Sequence, residues 1–153
     1  MSVKRQLAWR AKQAEVALRK YTVVYYVLVR RNAYVEAVDV DAAIQTATQD
    51  LLADIAGSNA LAVGKQARVV HVSEDQRGEY KVTLEVSVAY AATTKAENAV
   101  AAIDATTFVC NDANWCGGWC DRSWVAVVKN ENGAIVWDDA DTVRRYTADF
   151  GAP

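Results

Sequence analysis

The stretch Tyr21-Thr-Val-Val-Tyr-Tyr-Val-Leu-Val-Arg-Arg31 constrains this chain more than any other. Its β-branched and aromatic residues are those that a pleated strand favours. Successive side chains of a strand point to opposite faces, so one face carries Tyr21, Val23, Tyr25, Val27 and Val29, and the other Val24, Tyr26 and Leu28. A strand with one face in water alternates apolar with polar residues, and this one does not. It must be covered twice, by a helix on each side or by a helix and a second subunit. The apolar run Val23–Val29 is seven residues long, well short of the roughly 20 that span a bilayer. No membrane partner is expected.

The remaining patterns repeat a theme of two strands and a helix. After a break at Asn32-Ala33, Tyr34–Val40 reads as a second strand, with Asp39 or Asp41 as the cap of a helix. That helix puts Ile44, Ala47, Leu51 and Ile55 on one face, and Gly57 offers a left-handed stop. Ala67–Glu74, the turn Asp75–Gly78 and Tyr80–Ala91 form a second pair of strands. Tyr80, Val82, Leu84, Val86, Val88 and Tyr90 share the dry face of the longer one. Thr94 and Glu97 fit a capping box before a helix that turns Ala96, Ala99, Val100 and Ile103 inward. Trp124–Val128 and Ala134–Trp137 flank Asn130-Glu-Asn-Gly133, a hairpin signal. Asp138, Asp139 and Asp141 then open a helix presenting Val143, Tyr146 and Phe150.

The expected fold is α+β: an N-terminal helix followed by three β-β-α units forming one or two antiparallel sheets, with helices packed mainly on one face. Residues 1–153 suit a single domain. Its parts are a basic amphipathic helix at 1–20, units at 21–57, 66–105 and 123–150, and a Cys/Trp/Gly-rich loop at 106–122. The phrase that joins strand to helix, Ala37-Val-Asp39 and again Ala91-Ala-Thr93, occurs in many small accessory proteins, those of phages and plasmids included. It is too generic to place the chain in a family.

Charge divides the chain unevenly. Residues 1–31 carry eight basic groups against Glu15, a net of +7, while residues 32–153 carry a net of −9. Such asymmetry marks an interaction arm or a solvated helix face. On a helical wheel Val3, Leu7, Ala11, Ala14 and Leu18 form a core-facing stripe. Trp9 and Val16 lie opposite, among Arg5, Lys12 and Lys20. An aromatic among cations suits a protein partner or a nucleic acid, stacking on bases while the cations meet phosphates.

All three cysteines, Cys110, Cys116 and Cys120, fall in one loop with Trp115 and Trp119. Their spacing matches no common zinc pattern, and a fourth ligand would have to come from His71, Asp112 or Asp121. A local disulfide with one thiol left over accounts for the cluster more simply, and no metal or other cofactor is expected. With one histidine and no phosphate-binding glycine loop, nucleophile elbow or zinc helix, the chain reads as a binder and not an enzyme. Trp115, Trp119 and Trp124 make the loop region a candidate docking patch. The expected role is a non-catalytic structural, assembly or adaptor protein, a homo-oligomer or part of a larger assembly. Nucleic-acid binding through the basic helix is the alternative, and a thiol or metal enzyme at the cysteines a weaker one. The opening Met1–Gln6 lacks the apolar segment of a secretory signal, so the expected location is the cytoplasm, or a virion if the chain is of phage origin.

Overall fold

The computed structural model describes residues 2–6, 18–109, 119, 120 and 122–153. It is a mixed α/β structure with one six-stranded antiparallel sheet and four helices. Helix α1 is described over residues 3–6. The other elements are β1 (Arg19–Glu36), α2 (Val40–Ala56), β2 (Ala62–Val63), β3 (Arg68–Gln76), β4 (Glu79–Ala96), α3 (Ala99–Ala105), β5 (Ser123–Lys129), β6 (Ile135–Asp138) and α4 (Ala140–Phe150). The sheet order is β2-β4-β1-β5-β6, and β3 also pairs with β4.

β1 and β4 are the spine. They pair without a break from Arg19↔Ala96 to Glu36↔Glu79. The expected turn at Asn32-Ala33 is absent, so the first unit is one strand and a helix. Asn32 stays extended because its Oδ1 accepts a 2.7 Å hydrogen bond from Thr83 Oγ1 on β4, a partner of higher sequence separation than local turn chemistry supplies. The same pairing carries β4 past Thr94 to Ala96. The capping box is therefore overridden, and the side chain of Asn98 caps α3 through Ala101 N–H. Val100 of α3, expected inward, is exposed. Arg19 and Lys20, expected in the N-terminal helix, open β1 instead. Of the expected core stripe of that helix, Val3 and Leu18 are exposed, and Leu7, Ala11 and Ala14 lie outside the described residues.

Both faces of β1 are covered within the chain. Val23, Tyr25, Val27 and Val29 meet the dry face of β4 under α2, whose Ala43, Ala47, Leu51 and Ile55 are fully or almost fully buried, and under α3. On the other face Val24 and Tyr26 pack with Ala126, Val127 and Tyr146, so α4 is the second cover. Helices α2 and α3 thus lie on one face and α4 on the other. The reason lies in β1, whose second apolar row would otherwise be wet.

Two glycines answer to specific geometry. Gly133 closes the β5–β6 hairpin at φ +79°, where a side chain would be strained. Gly64, between β2 and β3, lies so near β4 that a Cβ there would sit 3.0 Å from the Ser87 carbonyl oxygen. Gly57 does not take the left-handed stop expected of it: its φ is −81°, and Asn59 adopts φ +61° instead.

Burial also sets a pH response. Burial pushes the Tyr25 and Tyr146 hydroxyls above the ordinary tyrosine range, with the Val109 N–H on Tyr25 opposing it. A raised folded-state pKa means that the native protein holds these protons to higher pH than the unfolded chain does. The stability they contribute is whole below about pH 10 and is lost as pH rises through the folded values. Urea midpoints should therefore fall as pH rises past about 10, and Tyr146→Phe should flatten that fall. An unchanged slope in the variant would remove the burial argument.

Candidate functional site

The second face of β1 is covered only in part. Even-numbered side chains share that face, and α4 seals Val24 and Tyr26 but leaves Leu28 half-buried and the Arg30 side chain 42% exposed. Beside them stand two tryptophans. Trp124 opposes Tyr26 in the β1–β5 register and stacks on it, with ring centroids 4.9 Å apart and planes 18° from parallel. Trp119 is tied to Arg30 by two backbone hydrogen bonds: its N–H donates to the Arg30 carbonyl at 2.9 Å, and its carbonyl accepts from Arg30 N–H at 2.8 Å. The Trp119 residue itself is 42% exposed.

Between these groups lies a cleft of about 230 Å³ bounded by Leu28, Arg30, Trp119, Cys120, Arg122 and Trp124. A second cleft of about 360 Å³ continues it toward α4, sharing Leu28 and Trp124 and reaching Arg145 and Asp149. Together they form one groove with an apolar, aromatic floor and arginines along its rim.

Electrostatics fix one arginine and leave two available. Glu85, nearly buried on β4, accepts from Arg30 Nε at 2.6 Å and from Arg68 Nη2 at 3.1 Å. That carboxylate pins Arg30 at the groove. The Arg122 guanidinium lies 5.6 Å from the Trp124 ring centroid, a cation–π distance. Neither Arg122 nor Arg145 has a carboxylate within ion-pairing distance among the described residues. At the start of α4, the Thr142 N–H holds the Asp139 carboxyl below its ordinary range, with the Arg145 charge a smaller contributor.

The structure brings together three of the residues singled out from sequence, Trp119, Cys120 and Trp124, and places Arg5 and Lys20 elsewhere. Arg5 is exposed on α1. Lys20 is not on that helix but in β1, at the far end of the strand from Arg30, where its N–H donates to Glu131 Oε1. Trp9, Lys12, Val16, Trp115, Cys110 and Cys116 lie outside the described residues. Cys120 is disulfide-bonded, which withholds its sulfur from metal ligation or nucleophilic attack while the bond stands. Among the described residues no group of three or more His, Cys, Asp or Glu side chains is placed to hold a metal ion. His71 is exposed on β3.

Sequence reasoning missed half-buried Leu28 as a groove residue, and it did not single out Arg30, Arg122 or Arg145 as site residues. Arg30 carried a usable signal, since it interrupts the second apolar row of β1 after Leu28. Arg145 carried none, because only the docking of α4 brings it to the sheet. No helix among the described residues is long and apolar enough to cross a membrane. No family model, curated protein or solved structure matches this chain.

Proposed function

We propose that this chain is a non-catalytic assembly or adaptor protein that associates with itself through protein–protein contacts at the aromatic groove. The observation that carries this reading is Trp119, a large aromatic 42% exposed, held by two backbone bonds beside Leu28 and Trp124. Aromatic and arginine side chains in a preformed apolar depression are the composition of binding hot spots. The basic N-terminal segment, which begins as helix α1, adds a cationic arm to the same chemistry. Between cytoplasm and virion, the disulfide at Cys120 favours the virion, outside the reducing cytosol.

A second reading, single-stranded nucleic acid, draws support from Arg122 and Arg145 standing beside Trp124 without carboxylate partners. Stacking on tryptophan and pairing of arginine with phosphate would use the same groove.

Sedimentation of the untagged protein over a range of concentrations tests the first reading. The wild type should associate, more weakly at high salt, because charges at the rim are screened. Trp119→Ala should weaken association about thirtyfold, the cost of losing one hot-spot aromatic, while circular dichroism stays unchanged. A wild type that sediments as a monomer at every concentration would overturn self-association.

A further inference from the structure

Resting on the docking reading above, we infer that the groove is filled by a second copy of this chain, through the acidic corner Glu36-Ala-Val-Asp-Val-Asp41 that joins β1 to α2. Val38, at the tip of that corner, is 93% exposed, more than any other large apolar residue described. Its local role is vacant. A residue just before a helix cap commonly packs on the fourth residue of the helix, which here is Ala43, and Ala43 is wholly buried elsewhere in the core. Val40, next but one, is 44% exposed.

The corner is held at both ends. Ala37 N–H donates to the Gly78 carbonyl at 2.9 Å, and the Asp39 carboxylate accepts from Ala42 N–H at 2.8 Å. Binding such a segment costs little further ordering. Its charge complements the groove. Glu36, Asp39 and Asp41 are all exposed, and none makes an ion pair among the described residues. The groove presents Arg122 and Arg145, neither ion-paired among the described residues, with Arg30 held by Glu85 and the Asp149 carboxylate beside them, around an apolar floor of the size that a valine and its neighbours can enter.

The corner cannot reach its own groove. Glu36 stands six residues beyond Arg30 on one continuous strand, roughly 20 Å away at the rise of extended backbone. Contact therefore requires another molecule, and each copy offers one corner and one groove. An apolar side chain entering a pocket elsewhere on a neighbouring copy is a sufficient basis for such assembly.

Two double variants test this. One, Glu36→Lys with Val38→Lys, spoils the corner and keeps the groove. The other, Arg122→Glu with Arg145→Glu, spoils the groove and keeps the corner. All four positions are exposed, so both proteins should fold, and thermal melts verify it. Each variant alone should sediment as a monomer where the wild type associates, with association weakened at least about tenfold. Mixed in equal amounts they should form a heterodimer, because each supplies the surface that the other lacks. A corner variant that still associates like the wild type, beside a monomeric groove variant, would overturn the corner as occupant and leave the docking reading standing. Association unchanged in both variants would overturn both. A wild type that stays monomeric but binds a labelled oligothymidylate, with binding lost in the groove variant, would assign the groove to single-stranded nucleic acid instead.

Discussion

Replacing Tyr26 with alanine should destabilise the protein by about 3–5 kcal/mol, the usual cost of truncating a buried aromatic. Tyr26 is 7% exposed and is the ring around which the second layer forms. Trp124 stacks on it, and the rings of Tyr146 and Phe150 lie 6.5 and 6.1 Å away. Its removal leaves a void beneath α4 with aromatic side chains on three sides, which backbone relaxation cannot fill. Aromatic pairs add about 0.5–1.5 kcal/mol beyond the area they bury, so the loss belongs near the upper end of the range. Tyr26→Phe, which keeps the ring, should cost less than about 1.5 kcal/mol. Urea unfolding followed by circular dichroism measures both. If Tyr26→Ala cost under about 1 kcal/mol, α4 would not be part of the cooperative unit.

The second large effect separates two neighbouring leucines. Leu51 is 0% exposed between α2 and the sheet, while Leu52 is 38% exposed on the outer side of the same helix. Leu51→Ala should cost about 3–5 kcal/mol, since both the transfer term and the cavity term apply. Leu52→Ala should cost under about 1 kcal/mol, because water already reaches that side chain and alanine is the better helix former. Paired urea melts decide it. Equal losses at the two positions would mean that α2 packs on a different face.

Much of this architecture is legible in the sequence because period and composition dominate it. The helical spacing of Ala47, Leu51 and Ile55 and the alternation from Tyr80 to Tyr90 each describe burial against a single surface, and these residues are buried, whereas Ile44, read in the same helical row, is only half-buried and Ala43 is buried in its stead. The misreadings occur where a distant partner outweighs a local preference. Asn32 is turn chemistry by itself and strand chemistry once Thr83 lies opposite. Thr94 is a helix cap by itself, but a strand residue once β1 extends far enough to pair with it through Tyr21. The need of the two-sided apolar strand for two covers is legible in its residues. Which element supplied the second was not legible, because α4 is reached only after the β5–β6 hairpin returns the chain to the sheet. The groove follows the same rule. Its tryptophans stand out by composition, whereas its arginines come from β1, the entry to β5 and the last helix, and converge only through the fold.

The pairing of β1 with β4 also dictates an order of events in folding. β3 and β4 meet across the tight turn Arg77-Gly78 and can form early. β1 has no such neighbour: Glu36 waits for Glu79, 43 positions later, and Arg19 for Ala96, 77 positions later. Closing the shorter loop first is favoured by about 0.5 kcal/mol, so zipping should start where Ala37 meets Gly78 and run toward Arg19. On the ribosome, at roughly 5–20 residues per second, β1 spends several seconds with both apolar faces bare. Arg19 and Lys20 before Val23–Val29, with Arg30 and Arg31 after it, are gatekeepers for that interval. They keep the nascent strand from pairing with its copies before β4 arrives.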